Sequence, residues 1–232
     1  MKAFARYTSI CFSVLLLSFF VITPSSFAVQ VPIKSQNTAI NSQGRIDTLR
    51  WILYSSAMPF NYSRLSVIID GHQKEPRWRM RNAQISLSPY ITRDMEFTKL
   101  FVHELAHYID IYVYYWNRLR SDISDDFYAI SWQSPTVKRS KQWTMDFVSG
   151  YAATNQYEDF AESFVFYVFH NETFADRALR SDSLRQKYLF FSNFIFRRGY
   201  FQGTDFSVWM VPSYVWDSTK VSISLEKYLY SL

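Results

Sequence analysis

"FVHELAHYID", residues 101–110, sets His103 and His107 four positions apart with Glu104 directly after the first. The stretch lies inside "DMEFTKLFVHELAHYIDIYVYYWNRLR", residues 94–120, which contains neither Gly nor Pro and carries Phe97, Leu100, Phe101, Leu105, Ile109 and Tyr112 at helical spacing. That periodicity predicts one long helix. Residues i and i+4 share a helix face, so both imidazoles can reach a single ion, and neutral imidazole suits Zn²⁺. Glu104 lies about 100° further round, beside the position such an ion leaves open, which makes it the candidate general base. With four His and seven Glu in 232 residues, a shuffled chain would contain HExxH only about 0.002 times, so the pattern demands a chemical explanation.

A catalytic zinc site takes three protein ligands and keeps one position open, so a third ligand must come from elsewhere. The remaining histidines, His72 in a polar loop and His170 at a helix end, have no motif around them. A carboxylate from "YEDFAES", residues 157–163, is the better candidate. Glu158 and Glu162 are again i and i+4 and face one way, while Asp159 points elsewhere. They sit on a segment that continues "FVFYVF", and a helix expected to pack into a core cannot bury two carboxylates without partners. One of the two can ligate; the other can hold a histidine N–H from behind and fix its tautomer.

The remaining organisation is that of a single α+β, mostly helical domain. Residues 1–28 combine Lys2 and Arg6, an apolar run from Ile10 to Ile22 and the small residues before Ala28. This is the pattern of a secretory signal peptide cut after Ala28, too short in its apolar part for a membrane span of about 20 residues. Residues 29–43 read as a flexible lead into a domain over 44–232. A helix is expected over residues 44–58, strands at 64–70 and 83–88 with a polar loop between them, helices from Asn155 and over 173–196, and short strands or irregular packing after Gly199. Removing the leader lowers the net charge from +5 to +3 and takes away the only cysteine. The mature chain is therefore free of disulfides, and its mild basicity comes with no nucleic-acid-binding motif. The compartment this implies is extracellular or periplasmic, with no stable membrane insertion after cleavage; the oligomeric state is not legible.

Taken together, HExxH followed by a helix carrying Glu-x-x-x-Glu resembles the gluzincin arrangement. "SGYAATNQYEDFAESFVFYVFHNETFADRALRSDSLRQKYLFFSNFIF", residues 149–196, is similar to the end of the catalytic domain of anthrax lethal factor and its relatives, the lethal factor-like zinc metallopeptidases. In that family a tyrosine stands seven residues before the ligand glutamate; here Tyr151 stands seven before Glu158 and is followed by Thr154 and Asn155. The resemblance implies a zincin-like fold with a small mixed sheet and an HExxH helix. It implies one zinc on His103, His107 and Glu158, Glu104 as base, Tyr151 as oxyanion donor and Glu162 behind a ligand histidine. The expected function is a secreted metalloendopeptidase that hydrolyses protein or peptide substrates by zinc-activated water, with the strand at 83–88 offered to an extended substrate. The alternatives are a zinc-bound, non-catalytic binding module, which would need a fourth protein ligand such as His72 or His170, and a metal-dependent hydrolase of cell-wall peptides. The large delivery domains of the toxin have no counterpart in this chain.

Overall fold

Alternation sets the sheet. In "SVIID" Val67 and Ile69 are buried between half-buried neighbours, and in "QISL" Ile85 and Leu87 repeat the pattern, so each strand turns one face to the core. The computed structural model describes residues 30–73, 78–114, 123–196 and 199–232. Its elements begin with β1 (Ile33–Gln36), α1 (Gln43–Tyr54), β2 (Ser66–Asp70), β3 (Trp78–Arg81), β4 (Gln84–Leu87) and α2 (Asp94–Tyr108). α2 runs into a π-helical turn, Ile109–Tyr114. There follow α3 (Ile123–Ser131), the hairpin β5 (Trp132–Ser134) and β6 (Val137–Lys138), α4 (Gln156–Phe169), α5 (Asn171–Ala178), α6 (Asp182–Phe190) and α7 (Leu225–Ser231). The proposed signal segment and the far end of the long helix lie outside the described residues. Among the described residues no helix is long and apolar enough to cross a membrane.

The four-stranded sheet has the order β1-β2-β4-β3, with β1, β2 and β4 parallel and β3 antiparallel to β4. Two readings are corrected here. Residues 33–36, read as part of a flexible lead, form edge strand β1 paired with β2. The segment read as a polar loop before residue 83 contains β3, which occupies the opposite edge and leaves β4, the expected substrate strand, enclosed between β2 and β3. Asn82 and Ala83 both have positive φ, at 52° and 59°, and Arg81 pairs with Gln84. This is the two-residue hairpin turn whose twist suits antiparallel strands, built here without glycine.

The helices pack on an aromatic core. α4 is buried on nearly every side, and Phe127, Phe160 and Phe164 meet Phe191 edge to face at centroid separations of 5.3 to 5.9 Å. Buried Asp159 on α4 is bonded to Lys187 Nζ at 2.7 Å and accepts from Trp132 Nε1 at 2.8 Å. A single helix over 173–196 does not form. The chain breaks between α5 and α6 because Ser181 caps α6, its hydroxyl accepting from Leu184 N at 3.1 Å. The tail after Gly199 is irregular apart from one bridge, Ser207 to Ile223, a 3-10 turn at Ser218–Lys220, and α7, whose buried Tyr228 lies 4.5 Å from the ring of Phe169.

Lys99, one turn before His103 on α2, ties this tail to the core. Its buried ammonium donates to Ser218 O at 2.6 Å and Val221 O at 2.8 Å and meets His170 Nε2 at 2.9 Å, three partners for three protons. Burial lowers its pKa from 10.5 to about 7. Between those values the unfolded chain holds the proton more firmly than the folded one, so the contribution of this group to stability rises with pH across that window. The melting temperature of the wild type relative to Lys99→Met is therefore expected to climb from pH 7 to pH 9; a constant difference would contradict the assignment.

Candidate metal centre

α2 and α4 pack against each other and bring the charged faces of the two helices together. The first turn of α4 is fixed by Asn155, whose side chain accepts from both Tyr157 N and Glu158 N at 3.0 Å. Glu158 then projects toward α2: its Oε2 lies 3.1 Å from His103 Nε2 and 3.4 Å from His107 Nε2. The two imidazole rings stand edge to face, 5.0 Å apart. One turn further along α4, buried Glu162 places Oε1 3.1 Å from His103 Nδ1. Its other oxygen accepts from Ser149 Oγ at 2.6 Å and from Ser218 N at 2.8 Å. Ser149 Oγ in turn accepts from Ala152 N at 3.0 Å. A carboxylate held on three sides fixes a proton on His103 Nδ1 and leaves Nε2 to face Glu158 and His107.

The donor set fits zinc. Bonds of about 2.0–2.2 Å in a tetrahedron separate neighbouring ligand atoms by roughly 3.3 Å, and the two contacts of Glu158 bracket that spacing. His103, Glu104 and His107 also have ligand atoms within 4.8 Å of one another, a looser cluster that would make Glu104 the third ligand. Glu158 is favoured because both of its contacts fall at tetrahedral ligand spacing. Glu104 is moreover engaged with the backbone N–H of Met80 on β3.

Electrostatics agree that the cluster calls for a cation. Burial alone would lower the pKa of His103, but its bonds to Glu158 and Glu162 outweigh burial and hold it well above the ordinary imidazole value. Burial likewise works to raise the Glu158 carboxyl, and the bonds to His103 and His107 overcome it and keep that group well below the usual carboxylate range. Glu104 behaves differently: burial pushes it up, and the nearby imidazoles only partly offset that. A raised carboxyl beside a cation site has the proton affinity wanted of a general base.

Tyr151 lies over this cluster. Its ring stacks on His103 at 6.0 Å with an interplanar angle of 21°. Burial, reinforced by the charge of Glu158, raises the phenol so that it remains a donor. The backbone that carries it is clamped by the tail, with Gly150 N on Val215 O at 2.8 Å and Tyr151 N on Trp216 O at 2.7 Å. A Cβ at position 150 would stand 2.3 Å from Tyr214 Oη and 2.4 Å from the Trp216 ring. Gly150→Ala must push that segment away, at a cost of about 1–3 kcal/mol. It is expected to lower the melting temperature and reduce hydrolysis while leaving zinc stoichiometry unchanged, checked by calorimetry and metal analysis on the same sample.

His170 and His72 stand apart from the cluster. Buried His170 is committed to Lys99 and, through Nδ1, to Ser207 Oγ at 2.6 Å, and burial holds its pKa well below the ordinary value. His72 is exposed in the turn after β2. The supports from Ser149 and Ser218, together with the clamp at 214–216, were outside the sequence reading. "SGY" before the helix was a faint cue to the first; the Ser218 N–H has no side-chain signal.

Residues 84–198 match the model of a family described as "Putative zinc-binding metallo-peptidase", a span that takes in both histidines, Tyr151 and both glutamates of α4. This part of the chain is similar to zinc-binding metallo-peptidases, and the likeness supports a zinc-dependent protease. Neither the curated proteins nor the solved structures give a match.

Proposed function

We propose that this chain is a zinc-dependent metalloendopeptidase of the gluzincin type, exported by residues 1–28, with β1 as the first element of the folded unit. The observation that carries the reading is the approach of Glu158 Oε2 to both imidazole Nε2 atoms at ligand spacing, with Glu104 left beside them and its carboxyl raised. His103, His107 and Glu158 would hold one zinc ion, and Glu162 would fix the His103 tautomer. Zinc at such a site supplies Lewis acidity, polarising a carbonyl and lowering the pKa of a coordinated water to about 7.

The chain's own groups do the rest. Glu104 takes a proton from the attacking water and returns it to the leaving amine. The Tyr151 hydroxyl donates to the carbonyl oxygen as charge develops there. An extended peptide would lie along β3, the sheet edge packed on α2, since β4 is enclosed. The spacing of Tyr151 and Glu158 supports kinship with the lethal factor-like enzymes. Of the two candidate fourth ligands of the binding-module alternative, His170 is engaged by Lys99 and Ser207 and His72 is exposed in the turn after β2.

The test is cleavage of a denatured protein by chelator-stripped chain before and after one equivalent of zinc. Activity should appear only with zinc, and Tyr151→Phe should lower the restored rate by about 10²- to 10³-fold. Cleavage that survives stripping, or a tyrosine variant as fast as wild type, would overturn the respective assignment.

A further inference from the structure

Exposed apolar side chains are concentrated on two segments, the second of which also carries the clamp on Gly150 and Tyr151. Eight of the eighteen exposed large hydrophobic residues of the described chain fall within 137–145 and 208–216. Trp143, Trp209 and Met210 stand furthest out, at 74%, 75% and 94% exposure, with Met145, Tyr214 and Trp216 beside them. The two segments wall a single cavity of about 460 Å³, Thr144, Met145 and Val148 on one side and Trp209, Met210 and Tyr214 on the other. A contiguous exposed apolar surface of this kind marks an interaction site.

Charge narrows the occupant. The segment 133–145 contains Lys138, Arg139 and Lys141, all exposed, and no acidic residue. Lys138 reaches the cavity wall, its ammonium 5.0 Å from the Phe147 ring. Arg177 and Arg180 also line the cavity, with Asp176 and Asp205 as the acidic groups there. Asp176 and Asp205 balance Arg177 and Arg180 within the cavity lining, so the exposed cations of the hairpin, Lys138, Arg139 and Lys141, set the outward charge of this face. Protruding Trp and Met flanked by Lys and Arg is the chemistry of a shallow bilayer anchor, since indole rings favour the headgroup region and cations favour anionic lipid.

We propose that this face docks the protein peripherally on an anionic lipid bilayer, with Trp209 and Met210 entering the headgroup region and Lys138, Arg139 and Lys141 facing lipid phosphates. The inference is independent of the hydrolytic reading. It is tested in the full chain carrying Cys11→Ser and Met210→Cys, so that an environment-sensitive dye sits at position 210 alone and binding through any other segment does not register. On vesicles of phosphatidylcholine with about 30% phosphatidylglycerol the dye emission should shift to the blue and brighten, and on phosphatidylcholine alone it should not. Adding Arg139→Gln and Lys141→Gln should raise the half-saturating lipid concentration by about 30-fold. Emission unchanged on both vesicles, or equal on both, would overturn the proposal. A blue shift that grows with protein concentration in the absence of vesicles would also overturn it, naming a second copy of the chain as the occupant.

Discussion

Glu104→Gln is expected to keep the fold and one equivalent of zinc and to lose about 10²- to 10⁴-fold in peptide hydrolysis, the range typical of removing a positioned acid–base group. The amide has the shape of the carboxylate and retains an oxygen for the Met80 N–H, so the contact between α2 and β3 survives. What disappears is a group able to gain and give up a proton while buried beside the imidazoles. Metal analysis and turnover on one preparation separate this outcome from misfolding. A variant that loses its zinc would make Glu104 a ligand, as the looser cluster with His103 and His107 would have it.

The second large effect is at Glu158. Glu158→Ala removes the oxygen that lies 3.1 and 3.4 Å from the two Nε2 atoms, so zinc affinity should fall by more than the roughly 10- to 100-fold typical of losing a group behind a ligand. Hydrolysis at limiting zinc should vanish with it. The loss should not be accompanied by unfolding, because Asn155 still caps α4 and the buried aromatic faces of that helix are untouched. Competition with a chromophoric chelator measures the affinity, and a variant that binds zinc as tightly as wild type would remove Glu158 from the ligand set.

The parts of this site that were legible in the sequence are those encoded by local helical geometry. His103 with His107, and Glu158 with Glu162, are i and i+4 pairs, and two helices are enough to bring such pairs together. The supports were less visible because they arrive through non-local backbone: Ser218 is 56 residues from Glu162, and it contributes an N–H that every residue but proline possesses. Strand β1 escaped notice because only Ile33 of its four residues is buried, so there is no alternation to read. Strand β3 was hidden by exposed Arg79 and Arg81 and by a turn made with Asn82-Ala83 in place of a glycine. The break between α5 and α6 rests on the Ser181 cap, with neither Gly nor Pro to announce it. α7 is seven residues long and is held by burying Tyr228, a tertiary effect with no periodic signature.

The most direct test of the central claim is zinc X-ray absorption on the purified chain, compared between wild type and Glu158→Ala. Two imidazole nitrogens, one carboxylate oxygen and one further oxygen from water are expected around a single ion, with the carboxylate contribution lost in the variant. A fourth protein ligand in place of the water, or a spectrum unchanged by the substitution, would contradict it.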